Sequence, residues 1–224
     1  MKDFQKELGK ELLASVSRSF FLSLRFLPPK MRESTSLAYL LARISDTIAD
    51  TEALPKEKRL IFLSEIGSAI QGSGSFPDLS DMTFGEGLTE GESVLLQKSN
   101  LCLEWLESID DINLSSIQKV MRSIIKGQSD DLRRFSSNHL QCLSSKEELD
   151  DYTYDVAGSV GVFWTEIGFN SHGNKFSDQE IETMTELGSD YGKALQLLNI
   201  LRDFPQDFDN GRCYFPGQFY GSTS

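Results

Sequence analysis

The sequence predicts an all-α fold, a bundle of long helices around a central cavity, and three observations lead there. Apolar residues recur at i, i+3, i+4 and i+7 through most of the chain, the spacing that aligns one face of a helix. Alternating apolar and polar runs joined by hairpin turns, the mark of strands, are scarce. Two helical stretches that are otherwise apolar each carry a polar stripe, which suits a helix packed on most sides and open to a cavity on one. The chain has 224 residues, enough to bury one core, and residues 1–224 read as a single domain without internal repeats.

In order along the chain, the first helical stretch covers residues 3–26. Pro28 and Pro29 separate it from the next, since the residue before a proline is pushed out of the helical region. Residues 30–50 and 55–71 follow, then a Gly-, Ser- and Asp-rich surface loop from Gly72 to Gly87. Further helical periods run through 91–109, 114–136, 146–170 and 178–208. Inside the last, Pro205 removes the bond to the Leu201 carbonyl and is expected to kink or end the helix. "DNG" at Asp209 to Gly211 supplies a stop signal.

Charge narrows the partners. With 22 Lys and Arg against 34 Asp and Glu, the net charge is −12, which argues against nucleic acid and against a broad basic face for anionic lipid. An anionic ligand must then be met locally, by a few arginines or by metal ions. Cys102, Cys142 and Cys213 form no CxxC or Cys/His ligand spacing, so neither a zinc site nor a disulfide framework is expected and a reducing cytoplasm is the expected compartment. The most apolar run near the start, "FFLSLRFL", is broken by Arg25, and no membrane span is predicted.

The chemistry is carried by "YLLARISDTIAD", Tyr39 to Asp50. At about 100° per residue, Tyr39, Arg43, Asp46 and Asp50 point to roughly 0°, 40°, 340° and 20°, one stripe on an apolar helix. Two carboxylates four residues apart repel unless a cation lies between them, and a hard divalent ion with oxygen ligands, such as Mg²⁺, suits that place. The spacing alone is a weak signal, because "DYTYD" at Asp151 to Asp155 repeats it on what reads as an exposed helix edge. A second set strengthens it. In "QLLNILRDFPQD", Gln196, Asn199, Asp203 and Asp207 share a face, with Arg202 beside them and Leu197, Leu198, Ile200 and Leu201 around the rest. Two such helices facing one cavity would hold a polyanion through divalent cations, with Arg43 and Arg202 contacting it directly.

At this point the chain resembles the squalene/phytoene synthase family of head-to-head prenyl transferases. The resemblance runs through "SVSRSFFLSLRFLPPKMR" (Ser15 to Arg32), "AYLLARISDTIAD", "KGQSDDLRRF" (Lys126 to Phe135), "DDYTYDVAGSVG" (Asp150 to Gly161) and "LQLLNILRDFPQDFDNGRCYFP" (Leu195 to Pro216), in the family's order across almost the whole chain. It implies an isoprenoid synthase-type helical bundle in which two farnesyl or geranylgeranyl diphosphates condense. It also implies that Asp46, Asp50, Asn199, Asp203 and Asp207 bind diphosphate through Mg²⁺ or Mn²⁺. Arg18, Ser19, Arg43, Gln196 and Arg202 would touch substrate, and Phe20, Tyr39 and Tyr154 would line the reacting centre; from the residues alone, either Tyr152 or Tyr154 could place a phenol there, and the resemblance selects Tyr154. Aromatic faces suit a carbocation that must meet no water, and Phe21, Phe163 and Trp164 are further candidates. Gln128, Asp130 and Asp131 are given a supporting role.

Gly158 and Gly161 each cost about 1 kcal/mol in a helix, so close approach of a neighbouring helix or of a prenyl chain is expected there. "SRSF" and "SDTIAD" look more like squalene-forming members of bacterial type, which implies NADPH as reductant; phytoene or dehydrosqualene synthesis is the alternative, and a non-catalytic binding or assembly factor the alternative of another class. Greasy substrates imply peripheral contact with a membrane. Two departures stand out: Gln206 and Pro205 within the second motif, and an end at Ser224 where family chains continue for several helices. The expectation is a domain lacking the family's last helices.

Overall fold

The computed structural model describes residues 3–17, 20–79, 87–135 and 139–217. Helix α1 (Asp3–Glu7) passes through a π-turn (Leu8–Leu12) into α2 (Leu13–Ser17), and α3 (Phe20–Phe26) follows. Helix α4 (Pro29–Asp50) has proline at its first position, where the missing N–H would have had no intrahelical acceptor. Then come α5 (Lys56–Ile70), α6 (Glu90–Gln97) and α7 (Ser99–Leu106). The single stretch expected over 91–109 is thus two helices, broken at Lys98, whose φ of −101° and ψ of 13° leave the helical well. Helix α8 (Asp111–Arg134) starts where the Asp110 carboxylate accepts the Asn113 amide at 3.0 Å, an N-cap.

Beyond α8, strand β1 (Gln141–Cys142) precedes α9 (Lys146–Thr153), a π-turn (Tyr154–Gly158) and α10 (Ser159–His172). Helix α11 (Ile181–Asp209) continues through Pro205 without ending, and strand β2 (Arg212–Cys213) closes the described chain by pairing in parallel with β1. Strands this short offer no alternation for sequence reasoning to detect.

Helix α4 is the buried element its sequence predicts: Leu37, Leu40, Leu41, Ile44 and Ile48 are fully inaccessible. It packs on α8, which also receives α5 and α10, and α11 lies on α10. Glycines set that last contact. A Cβ on Gly161 would stand 1.8 Å from the Gly188 carbonyl oxygen, and one on Gly192 2.2 Å from that of Ala157. The close approach expected at "VAGSVG" is therefore that of the neighbouring helix, α11, backbone against backbone.

The other side of α11 departs from expectation. Leu198 is 61 % exposed, and Leu187, Tyr191, Leu195, Leu197 and Leu201 are exposed with it; Gly192 and Ile200 are the residues it buries. Among the described residues no helix is long and apolar enough to cross a membrane.

Candidate active site

A cavity of about 540 Å³ opens between α4, α8, α10 and α11, within the size range of small-ligand pockets. Its floor is apolar: Ala38, Ala42, Val120, Ile124, Val156, Val160 and Phe163. On one wall Phe20 stacks on Tyr39 with ring centroids 5.6 Å apart and meets Trp164 edge-on at 6.4 Å. The expected stripe on α4 does face inward, since Tyr39, Arg43, Asp46 and Asp50 all line this space. Phe21 instead packs against the core.

Arg43 organises the acidic end. Its Nη1 donates to Asp46 at 3.0 Å and its Nη2 to Glu92. Glu92 is held in turn by Thr89, whose amide and hydroxyl both donate to it at 2.8 Å, a capping box at the start of α6. Burial works against the Glu92 charge, yet the Thr89 bonds and Arg43 hold its carboxyl below the ordinary range. Sequence reasoning missed Glu92, although the Thr-x-x-Glu signature of "TEGE" was legible. Asp46 goes the other way, pushed up to about 6 by burial and by the Asp50 charge against the pull of Arg43. Its side chain is 44 % exposed, and the exposed part faces the cavity, where surrounding protein weakens the solvation of charge. Burial also raises Asp50, opposed by Arg212, Arg43 and Arg59.

A second polar group joins two residues that sequence reasoning missed, Arg212 and Tyr214, to others that it named. Arg212 and Tyr214, brought in by β2, line the cavity with Tyr152, Gln128 and Asp131. The Tyr214 hydroxyl donates to Asp131 at 2.9 Å, its ring stacks on Tyr152 at 4.7 Å, and Arg212 Nη1 lies 3.8 Å from the other Asp131 oxygen. Burial pushes Asp131 up to about 6 despite Tyr214 and Arg212. Arg212 is the cation that Asp50, Asp131 and Asp207 all sense, so it ties the two acidic helices electrostatically. Nothing in its own spacing announces that; a two-residue strand delivers it.

The remaining predicted residues divide. Gln196 lines the cavity and accepts from Asn199 Nδ2 at 3.3 Å. Asn199, Asp203 and Asp207 are half-buried on the side of α11 that carries Gly192 and Ile200, but they stay outside the cavity lining. Asp203 makes a two-pronged pair with Arg202 at 2.7 and 2.6 Å, and the Arg202 side chain is exposed and outside the cavity lining. Tyr154, where the π-turn begins, is 39 % exposed and outside the cavity lining, whereas Tyr152 in α9 lines it. Asp155, expected on an exposed edge, is buried and paired with Lys126. Arg18 and Ser19 lie outside the described residues.

Among the described residues, no three Asp, Glu, His or Cys side chains converge tightly enough to hold a metal by themselves. The donor chemistry nonetheless fits a hard cation. Asp46 and Asp50 offer oxygen only and repel each other, a strain that a divalent ion shared with a bound anion would relieve.

The molecule is an all-α protein whose cavity is apolar and aromatic along much of its lining and carries carboxylates and arginines beside it. The profile of the Squalene/phytoene synthase family matches residues 13–222, and the chain belongs to that family. It is 28 % identical over 216 residues to the squalene synthase of Schizosaccharomyces pombe, covering 94 % of this chain and 44 % of that one. To the squalene synthase of Homo sapiens it is 27 % identical over 208 residues, covering 93 % and 46 %. A solved structure of TcSQS with the ligand BPH1237 superposes with a TM-score of 0.74 at 23 % identity, over 99 % of this chain and 61 % of that one. The chain therefore spans about half the length of the curated relatives it matches. Those relatives are eukaryotic and lend nothing to the expectation of a bacterial type.

Proposed function

We propose that this protein carries out Mg²⁺-dependent head-to-head condensation of two farnesyl diphosphates, through presqualene diphosphate, to squalene. The observation that carries the reading is the cavity itself, apolar and aromatic at its floor, with Asp46, Asp50, Arg43 and Arg212 gathered at one end. The names of the relatives support the same chemistry. Mg²⁺ bound at the carboxylates would neutralise the diphosphate leaving group as its charge develops. Arg43 and Arg212 would hold diphosphate oxygens through fork-shaped donors, with Glu92 fixing the orientation of Arg43. Phe20, Tyr39, Phe163 and Trp164 would exclude water from the allylic cation and present π faces to it. Asp203 and Asp207 would hold Mg²⁺ that meets the anion from the α11 side. NADPH enters as the reductant of the last step, and no residue is assigned to it. A peripheral, apolar contact with a membrane belongs to the same proposal.

The test is the organic-extractable product from the protein with Mg²⁺ and farnesyl diphosphate, with and without NADPH. The expected result is squalene only with NADPH, and no product from Asp46→Ala or Asp203→Ala. A C30 polyene indifferent to NADPH would move the protein to dehydrosqualene synthesis. Product only from geranylgeranyl diphosphate would indicate phytoene synthesis, and no product from either substrate would leave a non-catalytic binding role.

A further inference from the structure

Sequence reasoning left the cysteines as isolated thiols, yet the fold makes neighbours of two of them. In the β1–β2 pair Cys142 stands directly opposite Cys213. The register is fixed from both sides: the Gln141 amide donates to the Gly211 carbonyl at 2.9 Å and the Leu143 amide to that of Cys213 at 3.0 Å. Paired strands run about 4.7–4.9 Å apart, inside the 4.4–6.8 Å between Cα atoms that a disulfide spans. In-register side chains of a parallel pair leave the sheet on the same face. The two thiols are near enough to act on each other, the Cys213 side chain helping to raise the Cys142 thiol, while Cys213 Sγ donates to the Phe215 carbonyl at 3.4 Å. All three cysteines of the chain are thiols in this structure.

We propose that Cys142 and Cys213 form a reversible intrachain disulfide by exchange with a low-molecular-weight disulfide. Access dictates the order of events. Cys213 is fully buried, whereas Cys142 is half-buried and lines an open cleft of about 680 Å³ with Asp130, Arg133, Arg134 and Gln141. The Cys142 thiolate attacks one sulfur of the disulfide RSSR, releasing RS⁻ and leaving Cys142 bonded to SR. The Cys213 thiolate then attacks the Cys142 sulfur and expels the second RS⁻. The protein dithiol is oxidised by two electrons, RSSR is reduced to two RSH, and the two thiol protons end on the two leaving groups.

The bond would join segments roughly seventy residues apart in the chain, a loop long enough for substantial stabilisation. Its position matters more. Cys213 lies between Arg212 and Tyr214, whose side chains line the cavity, so the cross-link would clamp the strand that delivers both. Burial and the adjacent Cys213 sulfur hold the Cys142 thiol above its ordinary range, so the exchange accelerates as pH rises. Cys102 serves as an internal control: it is inaccessible, and burial pushes its thiol up to about 12.

The experiment treats the native chain with excess oxidised glutathione at about pH 8, blocks remaining thiols with N-ethylmaleimide, and maps peptides by mass spectrometry. The expected product is a peptide linking Cys142 to Cys213, with the protein lighter by two hydrogens and Cys102 alkylated only after unfolding. The link should form at least about tenfold faster than in concentrated guanidinium chloride, where the chain must close a long loop by chance. It should raise Tm by roughly 5–10 °C, reversed by dithiothreitol. In Cys142→Ser, Cys213 should take up no glutathione. The proposal is overturned if glutathione persists on Cys142 without a linked peptide, if the link forms no faster than in denaturant, or if Cys213 of that variant reacts readily.

Discussion

Helices α4 and α11 each carry a DxxxD pair on a helix of Leu and Ile, with an arginine three residues before Asp46 in the one and directly before Asp203 in the other, and they meet opposite fates. Every apolar side of α4 is covered, and its polar stripe is what remains to face the cavity. Helix α11 touches the bundle through glycines and Ile200, and its leucines face outward. The same local pattern is thus compatible with burial by side chains and with docking by backbone. What separates the cases is the neighbour each helix is given, a tertiary fact that helical periodicity does not encode.

The sharpest way to break the comparison is at the backbone contact. Gly161→Ala forces a Cβ against the Gly188 carbonyl and should cost about 3 kcal/mol by urea unfolding, since neither backbone can yield. A loss under about 1 kcal/mol would mean that α11 is not held this way in solution. Next comes a matched pair of truncations. Leu41→Ala empties a fully buried site on α4 and should cost about 3 kcal/mol, while Leu198→Ala on α11 should stay within about 0.5 kcal/mol. Equal losses would show the outer face of α11 covered in solution.

A third measurement probes the space between the helices. Asp131 senses both Asp50 and Asp207, and its folded-state pKa of about 6 lies above its ordinary 3.8. A raised carboxyl favours the proton-bound form in the fold. Its contribution is therefore full below the unfolded pKa and is lost as pH rises from about 4 to about 6. Asp131→Asn removes that dependence, so the stability of the variant relative to wild type should be greater at pH 7 than at pH 4 by on the order of 2 kcal/mol. A flat difference across that window would mean that the carboxyl is not desolvated. The smallest effects separate the two arginines. Thr89→Ala, which loosens the Glu92 brace on Arg43, should cost about 1 kcal/mol. Arg202→Ala, at an exposed pair, should leave Tm unchanged.

Much of this was legible in the sequence because helices announce themselves locally. The α4 stripe follows from its spacing, and Tyr39, Arg43, Asp46 and Asp50 fell where the angles put them. Gly158 and Gly161 signalled a close contact, though not with which partner. The misses have more than one cause, some local and some a dependence on residues distant in the chain. Tyr152 rather than Tyr154 lines the cavity, and the π-turn that starts at Tyr154 leaves no periodic trace in the sequence. Arg212 reaches the cavity because β2 pairs with β1, an interaction between two residues and two others. Lys98 splits α6 from α7 in the middle of the polar run Gln97–Asn100, which interrupts the apolar spacing for about one turn.

One feature of the cavity wall turns the protein into its own indicator. The chain has two tryptophans. Trp105 is sealed in the core with its indole N–H on Glu33 at 3.0 Å, whereas Trp164 lines the cavity edge-on to Phe20. Emission from Trp105 should report only whether the fold is intact, and emission from Trp164 should change colour and intensity when an apolar chain displaces water beside it. In Trp105→Phe, fluorescence becomes a direct titration signal for ligand entry. In Trp164→Phe, it becomes a gauge of folding that is blind to occupancy.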